Sequence, residues 1–275
     1  MKNISLIRKK LNFKDFVKRP AKEADVSELI KEDCIIYDKT QPGKPLILYF
    51  KFNDDTSEIR EACQKIPYET SKRSGGLVTT SRIFGFDPAT GIRKPYCSAT
   101  RLAFDNPNEH KVIVDFGARI AQIYKEYLPD VYISHEQLTI DKVRKEWQIP
   151  HTPFTSGIIN KNNQLNYHFD SGNFTDVYSN MIVFKSNTAG GYLSVPEFDI
   201  GLQCADDTMV MFDGQKILHG VTPIHHYSDK AYRYSIVYYT LQQMWKCEEI
   251  SDEIAKIRNR RMKQERLNAE RGKQK

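Results

Sequence analysis

From residue 155 onward, apolar and polar positions alternate in short runs broken by Gly, Asn, Asp and Pro, the period-two signature of half-buried strands. The runs fall at 157–160, 166–169, 180–185, 191–195, 198–204, 208–212, 216–222 and 232–241. With no helical stretch between them, they predict a mainly β chain, a β-sandwich or barrel. Upstream the pattern is mixed. It predicts a helix over 26–31, strands over 34–37 and 45–50, a helix over 56–67, and then an irregular Gly-, Arg- and Thr-rich stretch over 74–96. Between 110 and 127, Val112, Phe116, Ile120, Ile123 and Tyr127 recur at helical spacing, which predicts a helix covering one sheet and ended by Pro129. From 247 the residues are charged and helix-forming, with Ile250, Ile254 and Ile257 available to anchor the first turns. The remainder reads either as a solvated helix or as a basic arm along a phosphate backbone. The organisation expected is therefore an N-terminal α/β extension over 1–73 packed on the core, a core over 74–246 and a basic C-terminal helix over 247–275.

The composition changes this picture only slightly. With 41 Lys and Arg against 35 Asp and Glu, the chain carries a net charge of +6, a moderate bias compatible with a polyanionic partner. The five cysteines are odd in number and contain no C-x-x-C pair, so neither a disulfide framework nor a structural zinc site is expected, and a reducing intracellular compartment fits, cytoplasm or nucleus. No apolar run reaches membrane-spanning length, and no membrane partner is expected.

The chemistry lies in a small set of residues. His168 and Asp170 are two apart, so extended backbone sends both side chains to one face, where they can share a metal. His219 follows a hydrophobic hairpin, and Arg233 and Ser235 lie on one face of a later aromatic and β-branched strand. Two imidazoles and a carboxylate form the facial triad of non-haem Fe(II), leaving open positions for a chelating co-substrate whose far carboxylate an arginine can grip. One histidine at a strand end is more often a satisfied or surface residue; the three ligand types together with Arg-x-Ser are what point to iron. The other five histidines, His110, His135, His151, His225 and His226, have no such partners in the sequence.

Further blocks carry a resemblance. Ser74-Gly75-Gly76, Ser81 to Pro88, Arg93-Lys94-Pro95-Tyr96-Cys97, Thr152-Pro153-Phe154-Thr155, His168-Phe169-Asp170-Ser171-Gly172-Asn173, Gly190 to Glu197, His219-Gly220 and Arg233-Tyr234-Ser235 together resemble the TET/JBP family of Fe(II)- and 2-oxoglutarate-dependent 5-methylpyrimidine dioxygenases. The resemblance covers most of 74–241. It implies a double-stranded β-helix, of the jelly-roll or cupin-like kind, with buttressing helices. It implies oxidation of the 5-methyl group of thymine or 5-methylcytosine in DNA, with succinate and CO2 as co-products. The cofactors implied are Fe(II) and 2-oxoglutarate, with O2, and the chain would act as a monomer on a base flipped from the duplex. Position by position, His168, Asp170 and His219 resemble the iron ligands and Arg233, with Ser235 beside it, the co-substrate anchor. Asn173 and Tyr239 resemble base-contacting positions, and Arg82 and Arg93 are candidates for substrate contacts, through phosphates, or else for pairing with surface carboxylates. Leu241 departs from the pattern, since cytosine-oxidising members resemble one another in having histidine there. A 2-oxoglutarate oxygenase acting on a free nucleoside, a protein side chain or another small molecule is the alternative.

Overall fold

The computed structural model describes residues 1–41, 43–72 and 77–272, so the Ser74-Gly75-Gly76 block lies outside the described residues. Two sheets face each other. The larger runs in the spatial order Lys2–Leu6, Cys34–Asp38, Pro45–Lys51, Thr208–Phe212, Ser179–Ser186, Tyr232–Tyr239, Ser156–Lys161, Val78–Asp87 and Glu69–Lys72. The smaller runs Glu28–Ile30, Ile200–Leu202, Leu193–Val195, His219–Val221 and Leu165–His168. This is the double-stranded β-helix, and strands from the first 51 residues are integral to both sheets.

Alternation along each strand builds two cores. In Ser179–Ser186, Met181 and Val183 point between the sheets, where they meet Leu193, Val195 and Val221. Ile182 and Phe184 point the other way, against helices Ser57–Lys65, Pro107–Tyr127 and Pro129–Lys142, packing with Ile59, Ile113, Ile120 and Tyr124. The same rule splits Tyr232–Tyr239. Tyr234, Ile236 and Tyr238 join the helical layer, which frees Arg233, Ser235, Val237 and Tyr239 to face the interior of the β-helix. Fully burying such side chains stabilises by about 1.5–3 kcal/mol each, so a one-residue slip of this strand would exchange the core for the site.

Five expectations change. Residues 28–30 form a strand, not a helix, because Glu28–Ile30 is recruited in parallel register by Ile200–Leu202. Within the stretch over 74–96, Val78–Asp87 is not irregular but a ten-residue strand paired along Ser156–Lys161. Pro129 does not only end a helix; it also occupies the first turn of the next, where a missing N–H costs nothing. Most consequentially, Cys97 and Cys247 form a disulfide across 150 residues of sequence, a pairing invisible to any spacing rule because only the fold brings the two together. That bond lies beside Val143, Trp147, Phe174 and Met244 and ties the start of the C-terminal segment to the core. The C-terminal helix Ile250–Gly272 is thus anchored differently from expectation. Ile250 and Ile254 are exposed, whereas the buried Glu253 carboxylate accepts the backbone N–H groups of Cys97 and Glu248, each at 2.9 Å. Among the described residues no helix is long and apolar enough to cross a membrane.

Candidate metal and co-substrate site

His168 and His219 are brought opposite each other because the strands Leu165–His168 and His219–Val221 pair antiparallel with these two residues in register. Their ring centroids are 4.4 Å apart. Each Nδ1 faces a backbone carbonyl, that of Asn166 at 2.8 Å and that of Ile217 at 2.9 Å. A carbonyl can only accept, so each Nδ1 carries the proton and each Nε2 keeps its lone pair for a metal. Both Nε2 atoms approach Asp170 Oδ1, at 3.6 and 3.7 Å. The three donor atoms lie within 4.8 Å of one another. Burial pushes His219 down to about 4, with Asp170 opposing that shift, so its imidazole is neutral near pH 7 and ready to ligate.

Backbone geometry sets the carboxylate. The Asp170 N–H donates to the Gly214 carbonyl at 2.8 Å. A Cβ on Gly214 would fall 2.1 Å from Asp170 Oδ2, so glycine is the residue that leaves room for this ligand. Behind His219, the buried Glu197 accepts the Leu218 N–H at 2.7 Å, and Arg8 lies 3.7 Å from its other oxygen. Neither Gly214 nor Glu197 was identifiable as site support from the sequence, since their roles depend on chain segments distant from them.

The ligands open onto a cavity of about 280 Å³ between the sheets. Ser235, Val237 and Tyr239 line it in succession, with Ser179 and Met181 from the neighbouring strand. Met181 follows from alternation in 180–185 once its inner face is known, and Ser179 is added because the strand begins one residue earlier. Arg233 begins the same row and is only 1% exposed. Its Nε and Nη2 are buried without a hydrogen-bond partner in the protein, and burial pushes the guanidinium below its ordinary pKa. Gly191 lies over it: a Cβ there would be 2.8 Å from both Cδ and Nε. Six residues of strand separate Arg233 from Tyr239, roughly 20 Å, so the guanidinium and the aromatic ring lie well apart along the same strand.

At the outer end Asn173, Tyr239 and Leu241 line the cavity together. Asn173 pairs with Leu241 through a backbone bridge, and its side-chain amide donates to Ser179 Oγ at 3.1 Å. The Thr152 to Thr155 block supports this rim. Thr155 Oγ1 accepts the Leu241 N–H at 3.1 Å, while the Pro153 carbonyl accepts the hydroxyls of Thr139 and Thr240 at 2.9 and 2.6 Å.

Arg82, considered as a substrate contact, does not join the site. It pairs across the sheet with Ile159, whose side chain lies in the helical core, so Arg82 points away from the cavity. There its guanidinium meets Asp105 at 2.5 Å and Glu69, which is the carboxylate-pairing reading. Arg93 lies in the turn Gly91–Arg93, and its side chain is outside the described residues. His135 and His110 are structural: the former meets Thr240 Oγ1 at 2.8 Å in the core, the latter accepts the Gly85 N–H at 3.1 Å.

The donor set fits iron. Two imidazole nitrogens and one carboxylate oxygen form a facial triad, and a buried guanidinium with unpartnered N–H groups fits the far carboxylate of 2-oxoglutarate.

Comparison with known proteins agrees with this geometry. Residues 83–242, more than half the chain, match the family model Tet_JBP, described as the oxygenase domain of the 2OGFeDO superfamily. The bifunctional helicase and thymine dioxygenase JBP2 of Trypanosoma brucei brucei is 26% identical over 226 residues, covering 77% of this chain and 20% of that protein. Thymine dioxygenase JBP1 of the same organism is 25% identical over 162 residues, 58% of this chain and 19% of that one. The chain therefore spans about a fifth of the length of these curated relatives. Among solved structures, NgTET1 in complex with 5mC DNA superposes with a TM-score of 0.58 at 12% identity, covering 84% of this chain and 90% of that chain. That likeness establishes the shared fold.

Proposed function

Since the chain belongs to the Tet_JBP family of oxygenase domains, we propose that it is an Fe(II)- and 2-oxoglutarate-dependent dioxygenase oxidising the 5-methyl group of pyrimidines in DNA. The observation that carries this reading is one cavity lined by the His168, Asp170 and His219 donors together with Asn173, Tyr239 and Leu241, with the buried Arg233 two residues along the strand from Ser235 in its wall. When bound, Fe(II) and 2-oxoglutarate supply the activation of O2, with succinate and CO2 as co-products.

The residues of the chain supply position and exclusion of water. The Asn166 and Ile217 carbonyls hold His168 and His219 in the ligating tautomer. Arg233 would offer a charge-assisted fork to the distal carboxylate of the co-substrate, and the Ser235 hydroxyl, on the same face, would add a hydrogen bond. A methyl group stacked inside a duplex cannot reach donors set in a cavity between two sheets, so the base must be extruded. Tyr239 offers it an aromatic surface and Asn173 a polar edge. Leu241 presents only an apolar wall where a donor or acceptor would read cytosine. An apolar wall discriminates weakly, so thymine is accepted at least as well as 5-methylcytosine, in keeping with the thymine dioxygenases among its relatives.

Succinate release tests the substrate class. The expected result is release stimulated by duplex DNA containing thymine and 5-methylcytosine, and not by the free nucleosides. Stimulation by nucleosides alone would shift the reading to a small-molecule oxygenase.

A further inference from the structure

A second cation stands beside Arg233. Lys185 lies directly opposite it in the pairing of Ser179–Ser186 with Tyr232–Tyr239. Directly opposed residues of an antiparallel pair send their side chains to the same face, and like charges so placed repel. Burial, and next the Arg233 charge, hold the Lys185 ammonium below its ordinary pKa. Among the described residues neither cation forms an ion pair with a carboxylate. Asp206, whose Oδ1 accepts the Lys185 backbone N–H at 2.7 Å, is engaged by Arg60 at 2.9 Å. Lys185 Nζ has a long hydrogen bond of 3.4 Å to the Gly190 carbonyl, and the next residue, Gly191, is pressed over Arg233. Gly190 and Gly191 both have positive φ, 68° and 67°, and this double-glycine turn brings the Gly190 carbonyl to Lys185 and the Gly191 backbone over Arg233. Two cations held side by side, neither in an ion pair among the described residues and one of them two residues along the strand from Ser235 in the cavity wall, offer a place for an anion.

We propose that Lys185 is a second anchor for the distal carboxylate of the co-substrate, so that a two-cation clamp selects dicarboxylate over monocarboxylate oxoacids. This rests on the 2-oxoglutarate reading given above. Lys185 acts only at the carboxylate end, whereas the oxoacid end belongs to the metal ligands.

Calorimetric titration of the Mn(II)-loaded protein, without DNA, separates the two ends. 2-Oxoglutarate and 2-oxobutyrate share the oxoacid head, but only the former has a distal carboxylate. Lys185→Met should weaken 2-oxoglutarate binding by about ten-fold or more, the worth of a hydrogen bond to a charged group, and leave 2-oxobutyrate binding and Mn(II) affinity unchanged. Lys185→Arg should recover most of the loss. Unchanged 2-oxoglutarate affinity in Lys185→Met, or parallel weakening of both acids, overturns the assignment. Failure of the wild-type protein to bind 2-oxoglutarate at all would remove the co-substrate reading itself, and Lys185 with it.

Discussion

Gly214 is the smallest residue in the site and one of the most constrained. Because a Cβ there would fall 2.1 Å from Asp170 Oδ2, Gly214→Ala must turn the carboxylate away from the two imidazoles. Metal affinity is expected to fall by about 10–100-fold, the range seen when outer-shell support is removed, with secondary structure intact; titration with Mn(II) checks it, and unchanged affinity would show that Asp170 has another stable pose. Protonation acts on the residue scale as well. Burial pushes His135 from 6.5 down to about 3, so the unfolded chain takes the proton first. The stabilising contribution of neutral His135 is therefore whole above about pH 6.5 and is lost as pH falls from there toward 3. In metal-free protein His219, pushed down to about 4, acts in the same direction. The melting temperature of the metal-free chain should drop between about pH 6.5 and 4, and His135→Gln should flatten that drop. An identical profile in the variant would assign the dependence to other groups.

At the scale of elements, the site is a product of register. Tyr232–Tyr239 offers its interior face to the cavity because Tyr234, Ile236 and Tyr238 are claimed by the helical layer, and the period of two that revealed this was plain in the sequence. So was the His168 and Asp170 pair, two positions apart on extended chain. Other features were not legible, for a common physical reason. The strand at Glu28–Ile30 exists through pairing with residues 200–202, and the direction of Arg82 through its pairing with Ile159. Gly214 and Glu197 matter through neighbours more than 20 residues away in the chain, and local pattern carries no record of such contacts. The Cys97–Cys247 bond is the clearest case, closing 150 residues that no spacing rule connects. Cys247→Ser should lower stability by about 2–4 kcal/mol in chemical denaturation, while Glu253 still holds the helix to the Cys97 backbone. A variant as stable as wild type would show that the bond restrains nothing the core does not already fix.

For the molecule as a whole, the two sheets and their helical layer produce a cavity with a metal site in its wall, Tyr239 and Asn173 lining it, and the buried Arg233 two residues along the strand from its Ser235. The net charge of +6 and the C-terminal helix suit a polyanion, but charge alone names no chemistry; the order of groups along one cavity does. Under the proposed function, a methyl-bearing base would enter past Asn173 and Tyr239 toward the metal ligands, and the co-substrate's far carboxylate would lie toward Arg233. Mass spectrometry of nucleosides tests this most directly. Duplex DNA containing thymine and 5-methylcytosine is incubated with Fe(II), 2-oxoglutarate and either the wild-type chain or Asp170→Ala, and then digested. Wild-type protein should yield 5-hydroxymethylpyrimidine nucleosides, with thymine oxidised at least as readily as 5-methylcytosine, and Asp170→Ala should yield none. The account is contradicted if the wild type leaves both bases untouched while consuming 2-oxoglutarate on another substrate, or if Asp170→Ala forms product at the wild-type rate.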